Sequence, residues 1–154
     1  MHDASSQSAT DSMSDQELPS KFASHRIFLL SPANIAGTRG VRLMCDSAAC
    51  ELSSRLRGPG APLGEVFSFI SALYFRGKLA YARRFANAPP AVDGAFVITA
   101  CGGLIRPETM VTRERLREIS ASNIDLMNHR YRSLLDRDSL ALSELVGSDC
   151  QVLR

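Results

Sequence analysis

HRIFLL at residues 25–30 and AFVITA at residues 95–100 are the two stretches that decide the fold. Each is a short, largely apolar run that contains β-branched and aromatic residues and leads into a loop of turn-forming residues. Because helical spacing fills the interval between these two apolar strands, we expect a small parallel sheet covered by helices. The sequence therefore predicts an α/β fold.

Two predicted helical regions lie between these strands. Apolar residues recur at intervals of three and four along residues 41–56 and 63–86. We expect the first helix to be continuous and to end at Gly58, and the second to be one helix or a pair broken near Gly77. Residues 105–110 are expected to form a loop.

The last third of the chain is predicted to hold three more helical stretches and one strand. Thr112 is placed to cap the first helix at residues 113–120, and Asp136 and Asp138 are placed to cap the last one. CQVLR at residues 150–154 begins like a third buried strand. Because doubly wound sheets usually have more strands than this, we expect a domain truncated at its C-terminus; the alternative is a small mixed domain with a frayed edge strand.

The composition is that of one globular domain. Of the 154 residues, 45% are hydrophobic and 22% charged, which allows one well-formed core. The first 20 residues contain no Lys or Arg, and residues 1–22 are predicted to form a disordered, polar and acidic tail before a single domain at residues 23–154. Because the chain shows neither a secretory signal nor a membrane-spanning stretch, we expect a soluble, cytoplasmic protein.

The predicted domain is mildly basic. Four of the acidic residues lie in the first 20 positions, so the remainder carries 18 basic and 12 acidic residues, and 16 of the 18 are Arg. Arg suits bidentate contacts with phosphate or carboxylate better than Lys does, which favours an anionic partner. A GC-rich coding sequence would raise the Arg content in the same way, whatever the function.

The cysteines and histidines are too scattered to indicate a zinc framework, and no metal ligand is predicted. They are Cys45, Cys50, Cys101, Cys150, His2, His25 and His129. Cys45 and Cys50 fall on one predicted helix with a spacing that puts them on different faces, so they are poor disulfide partners. We expect reduced thiols, as in a cytosolic protein.

Ligands in open parallel sheets bind beyond the carboxyl ends of the strands, so two loops are candidate binding sites. In the first, SPANIAGTRG at residues 31–40, glycines allow tight turns, a helix start follows and an arginine adds positive charge. Its candidate ligand-binding residues are Ser31, Asn34, Gly37 and Arg39. Because the loop has no dinucleotide or phosphate-loop fingerprint, a plain connection between strand and helix is the alternative.

The second loop is ACGGLIRPE at residues 100–108. Cys101 is a candidate catalytic nucleophile, and Gly102 and Gly103 would expose backbone amides to an oxyanion. Neither histidine of the predicted domain has a spacing that pairs it with Cys101. A small buried cysteine in a tight turn is therefore the alternative.

A third candidate site is SALYFRGKLAY at residues 71–81, where two tyrosines are interleaved with Arg76 and Lys78. Aromatic rings interleaved with cations stack on bases and neutralise phosphates. The alternative is that Tyr74 and Tyr81 pack on the sheet while Arg76 and Lys78 face water.

Three stretches carry a resemblance to known proteins: HRIFLLSPANIAGTRG from residue 25, FSFISALYFRGKLAYARRFA from residue 67 and FVITACGGL from residue 96. Over about residues 25–146 the chain resembles a family of uncharacterised, hypothetical bacterial proteins to which no activity is assigned. That resemblance implies no functional residue. Through Gly103 and Leu104 the chain is loosely similar to α/β domains associated with nucleic-acid base modification.

These patterns favour an enzyme-like α/β domain that binds a nucleotide, a nucleoside or another anionic ligand at the carboxyl ends of its strands. The residues expected to converge in one pocket are then Ser31, Asn34, Arg39, Arg76, Lys78 and Cys101. The alternatives are a non-catalytic module that binds nucleic acid or a protein through a convex basic face, and a fragment without independent function. The sequence identifies no cofactor, reaction or oligomeric state.

Overall fold

The computed structural model describes residues 24–47, 49–122, 124–125 and 127–154. The predicted disordered tail at residues 1–22 lies outside the described residues. The described elements, in chain order, are β1 (His25–Leu30), α1 (Thr38–Met44), α2 (Glu51–Arg57), β2 (Ala61–Pro62), α3 (Leu63–Ser71), α4 (Leu73–Phe85), β3 (Ala95–Thr99), β4 (Gly103–Ile105), β5 (Met110–Val111), α5 (Arg113–Ala121), α6 (His129–Val146) and β6 (Cys150–Leu153).

Four strands form the main sheet in the order β4-β3-β1-β6, and β2 and β5 form a separate antiparallel pair. β1 runs parallel to β3, with Phe28 opposite Ala95, and parallel to β6, with Ile27 opposite Val152. β4 is antiparallel to β3, to which a tight turn joins it. The protein therefore has the predicted small α/β fold, with a sheet that is mostly rather than wholly parallel.

The sheet carries a thick core on one face and a thin core on the other. Side chains alternate along β1, so Phe28 and Leu30 point to one face and Ile27 points to the opposite face. The first face forms the larger core with buried residues of α3 and α4. On the second face Ile27 is buried with Leu142 and Val146 of α6.

The predicted continuous helix at residues 41–56 is wrong, because the structure has two short helices, α1 and α2, in this region. Cys45 is extended, and its backbone N–H donates a hydrogen bond to the Arg42 carbonyl in a tightened last turn. The next residue, Asp46, forms an ion pair with Arg113 of α5. A tertiary contact that helical periodicity does not reveal therefore holds this segment between the two helices.

The break in the second helical region lies at Ala72 and not near Gly77. Ala72 has a φ of 47°, which is uncommon for a residue with a side chain, and it separates α3 from α4. The change of direction lets Phe75 pack edge-to-face on Phe67, with 5.4 Å between the ring centroids. Core packing thus outweighs the intrinsic preference for glycine at a break, and Gly77 lies within α4.

The predicted loop at residues 105–110 is wrong at both ends. Ile105 belongs to β4 and lies opposite Val97, while Met110 belongs to β5 and lies opposite Pro62. These strands are too short to show an alternating pattern, so only their tertiary partners reveal them.

The cap predicted at Thr112 is confirmed, since its hydroxyl oxygen accepts a hydrogen bond from a backbone N–H of the first turn of α5. The two last predicted helices are instead one helix, α6, which Asn128 caps. Asp136 and Asp138 lie within α6, so neither caps a helix start. Asp138 accepts a hydrogen bond from the backbone N–H of Leu104 at 2.9 Å and so ties α6 to β4.

β6 confirms the predicted third strand, but it is an edge strand and not a buried one. Its partner in the main sheet is β1. Val152 is 49% exposed and Gln151 is exposed as well. A strand paired on one side alone leaves half of its backbone groups and much of its side-chain surface open.

Candidate functional site

Three adjacent cavities surround the loop that follows β1. Residues 32–36 and Ala100, which follow the carboxyl ends of β1 and β3, line a chamber of about 350 Å³ together with Ile119 of α5. A second cavity of about 570 Å³ lies between this loop, α1 and α5. The largest, of about 1310 Å³, lies between α1 and the junction of α3 with α4. Ala36 lines all three, so the cavities meet at this residue.

The largest cavity is here named the arginine groove. Arg39 and Arg42 of α1 line one wall, and Phe69 of α3 and Arg76 of α4 line the other. Cys45, which ends α1, lines it as well. No acidic residue is present among the described residues that line this groove.

The three arginines of the groove form no ion pair with any carboxylate of the described residues, whereas many other arginines do. Arg55 pairs with Glu65 at 2.7 Å, and Arg83 pairs with Glu108 at 2.9 Å. Guanidinium groups that face a groove without a neutralising carboxylate give it a positive potential. Among the three cavities, the arginine groove therefore has the clearest excess of positive charge in its described lining.

The segment between α1 and α2 is anchored to the rest of the domain. The hydrogen bond and the charge of Arg113 lower the pKa of the Asp46 carboxyl. Beside it, the Cys45 Sγ lies 3.1 Å from the Ser47 Oγ, and this hydrogen bond lowers the pKa of the Cys45 thiol. Cys45 and Cys50 do not share a helix, contrary to expectation; both are free thiols that line the arginine groove.

The first candidate loop is shaped by its own hydrogen bonds. Asn34 lines the 350 Å³ chamber, and its Oδ1 accepts a hydrogen bond from the Ala36 N–H at 3.1 Å. The Asn34 carbonyl accepts a second one from the Gly37 N–H at 3.2 Å. A Cβ at Gly40 would overlap the backbone of this loop, so glycine is required for the close approach. Ser31 lines none of the three cavities.

The second candidate loop contributes neither its thiol nor its glycines to the three cavities. Cys101 is 7% exposed and belongs to the larger core. Gly103 has a φ of 67°, and a Cβ there would collide with the carboxylate of Asp138. The Thr99 hydroxyl donates a hydrogen bond to the Gly103 carbonyl at 3.1 Å, and a Cβ at Gly102 would crowd that hydroxyl. These residues form the tight turn from β3 to β4.

The third candidate site is divided between two sides of α4. Arg76 lines the arginine groove, whereas Lys78 lies outside the groove with its Nζ 4.6 Å from the centre of the Tyr74 ring. The alternative that both tyrosines pack on the sheet holds in part: the Tyr81 ring meets Phe28 of β1 edge-on, but Tyr74 is 62% and Tyr81 is 56% exposed. They stay exposed because another side of α4, which includes Phe75, fills the core.

Of the residues expected to converge, the arginine groove brings together Arg39 and Arg76. Arg42 and Phe69 complete it, and the sequence-based prediction missed both. Arg42 follows Arg39 by three residues, a spacing that puts both on one side of a helix and was available as a signal. Phe69 was hidden within the apolar periodicity of its helix.

No family model, no curated protein and no solved structure matches this chain. The resemblance to a bacterial family and the looser likeness to base-modification domains stay predictions. None of the helices among the described residues has the length and apolar character needed to cross a membrane. In the same part of the chain, no three His, Cys, Asp or Glu side chains are grouped so as to hold a metal ion.

Proposed function

We propose that the arginine groove binds a phosphate-bearing small ligand of the nucleotide class. The observation that supports this is the set of three guanidinium groups, from Arg39, Arg42 and Arg76, with no acidic residue in the described lining. Each guanidinium offers paired N–H donors that match two phosphate oxygens. Three such groups on two helices suit a ligand with several negative charges better than a single carboxylate.

An exposed aromatic ring in the same groove favours a ligand that also has a planar group. Phe69 is 43% exposed, although most apolar side chains of α3 are buried. A ring held at the wall of a groove stacks on a purine or a pyrimidine. A nucleotide is a ligand class that combines such a ring with multiple phosphate charges.

The backbone at Ala72 supports a binding role for this groove. A non-glycine residue in a sparsely populated conformation costs about 1–3 kcal/mol, and such residues cluster at ligand sites. Ala72 lines the groove, and its break places Arg76 in the wall opposite α1.

Calorimetric titration of the full chain with four probes tests the proposal. The probes are ATP, AMP, adenosine and inorganic tripolyphosphate, and thermal unfolding with each ligand gives an independent readout, since a ligand of the native state raises the midpoint. We expect ATP to bind most tightly, tripolyphosphate more weakly and adenosine most weakly. If none of the phosphate-bearing probes binds or raises the midpoint, the proposal fails.

Variants of the groove locate the binding. Arg39→Gln and Arg76→Gln should each weaken ATP and tripolyphosphate binding by about tenfold or more, because a charge-assisted hydrogen bond is lost. Phe69→Ala should weaken ATP binding but leave tripolyphosphate binding unchanged. Arg132→Gln, at an exposed arginine of α6, is the matched control. Groove variants that bind ATP as tightly as the wild type would exclude this site.

A further inference from the structure

A second surface with unusual chemistry lies on α4, on a different side from Arg76. It consists of Tyr74, Lys78, Tyr81 and Phe85 and is named the aromatic face. With about 100° of rotation per residue, these four positions fall within a sector of about 60° along the helix. The aromatic face is therefore one continuous stripe.

The three rings of the aromatic face are open to solvent. Tyr74 is 62%, Tyr81 56% and Phe85 45% exposed, and Leu73 beside them is 76% exposed. Tyr81 and Phe85 lie 4.5 Å apart between ring centroids, and Tyr81 also meets the ring of Phe28 edge-on at 5.8 Å. The contacts with Phe28 and Phe85 fix the direction of Tyr81 and still leave it 56% exposed, so the stripe presents a partly rigid row of rings.

Cations lie next to these rings without acidic neighbours on the helix. The Lys78 Nζ is 4.6 Å from the Tyr74 ring centre, and the Arg84 guanidinium carbon is 5.8 Å from the Phe85 ring centre. Neither cation forms an ion pair within the described residues, and α4 contains no Asp or Glu. Arg83, the α4 residue with an ion-pair partner, lies on the opposite side of the helix.

We propose that the aromatic face binds single-stranded nucleic acid. Exposed bases of a single strand stack on aromatic rings, and the adjacent cations neutralise the backbone phosphates. A duplex keeps its bases paired and offers its phosphates alone. A second copy of this chain would place the Lys78 and Arg84 charges against like charges, whereas a polyanion complements them.

The length of the aromatic face matches a short segment of single strand. Tyr74 and Phe85 are eleven residues apart, which is about 16 Å along the helix axis. With a spacing of about 3.4 Å between stacked bases, the face accommodates about four to five nucleotides. An oligonucleotide of twelve residues is therefore long enough to occupy it fully.

Fluorescence anisotropy of fluorescein-labelled oligothymidylate and oligouridylate of twelve nucleotides, titrated with the full chain, tests this inference. We expect single strands to bind, a twelve-base-pair duplex to bind more weakly, and binding to weaken as salt increases. Tyr74→Ala and Tyr81→Ala should each raise the Kd about fivefold or more through lost stacking. Lys78→Gln should lower the slope of log K against log salt by about 0.7.

The controls separate this surface from the arginine groove and from a protein interface. Leu140→Ala, at an apolar residue of α6 that is 63% exposed, should leave the Kd unchanged. Saturating ATP should not displace the oligonucleotide, and the Arg39→Gln variant should bind it as tightly as the wild type, since the two sites are separate. The inference is overturned if the tyrosine variants bind the single strand as tightly as the wild type. It is also overturned if the chain binds no oligonucleotide and instead dimerises through this face, with the dimer detected by analytical ultracentrifugation.

Discussion

The two faces of the main sheet are covered by very different amounts of apolar surface. On one face, α3 and α4 bury whole aromatic side chains such as Phe67 and Phe75 against β1 and β3. On the other, α6 buries Tyr131, Leu142 and Val146, and the last two form the smaller cluster with Ile27. Apolar burial scales with area removed from water, so the first face supplies most of the stability and α6 depends more on individual polar contacts.

One such contact is the carboxylate of Asp138. It accepts the Leu104 N–H at 2.9 Å and also accepts a hydrogen bond from the Arg137 Nε at 2.8 Å. A helix held by few apolar contacts opens locally at lower free energy than the core does. We therefore expect α6 to unfold in part before the α3–α4 side.

The largest expected effect is on the free energy of unfolding, when a buried side chain is removed from either core. Phe67→Ala should lower the free energy of unfolding by roughly 3–5 kcal/mol because it leaves a cavity in a fully buried site, whereas Leu142→Ala should cost about 2 kcal/mol. Urea unfolding followed by circular dichroism measures both, and Leu140→Ala should change the value by less than about 0.5 kcal/mol. Equal losses for the two buried sites would contradict the comparison.

A smaller effect is expected from the tie between α6 and β4. Asp138→Ala should destabilise the protein by about 1–3 kcal/mol because the Leu104 N–H loses its acceptor, and Asp138→Asn should cost less because an oxygen acceptor is kept. Hydrogen exchange should show faster opening in α6 than in α4. Asp136→Ala, at an exposed carboxylate of the same helix, is the control. Uniform acceleration across both helices would show that α6 is not an independent unit.

The smallest expected effect is a loss of stability in acid, to which the carboxylates of Asp46 and Asp149 contribute. Hydrogen bonds from Arg113 lower the pKa of Asp46, and those from Ser24 lower the pKa of Asp149. Because the folded pKa of each lies below its unfolded value, the stabilisation is fully present above about pH 5 and is lost as pH falls through the folded pKa.

Urea midpoints between pH 7 and pH 3 measure this loss. Asp46→Asn and Asp149→Asn should each make the midpoint less dependent on pH, and both exposed sites should give modest changes. A wild-type midpoint that does not fall with acid would show that neither interaction stabilises the fold.

The strands were the most predictable part of the fold. β1 and β3 follow from apolar runs bounded by turn residues, and β6 was recognisable from its first four residues. Its edge position was not, because exposure depends on which strand lies next to it. β4 and β5 were missed because two or three residues carry no period.

The candidate site was predictable only in part. The first loop predicts Arg39 and the helical stretch predicts Arg76 as ligand-binding residues, but their place in one groove depends on how α4 is turned at Ala72. The position of Cys101 at a strand end predicts an accessible nucleophile, yet Cys101 is buried in the larger core. Local sequence reports which groups are present and not which of them face the same space.

Local sequence was sufficient to predict the α/β class, the apolar strands, the cap at Thr112 and the excess of arginine, since each depends on residues near one another in the chain. The break at Ala72, the role of Asp138 and the grouping of arginines in one groove depend instead on tertiary contacts. The physical reason is that packing and ion pairing act between residues far apart in sequence, and their free energies are large enough to override local preference.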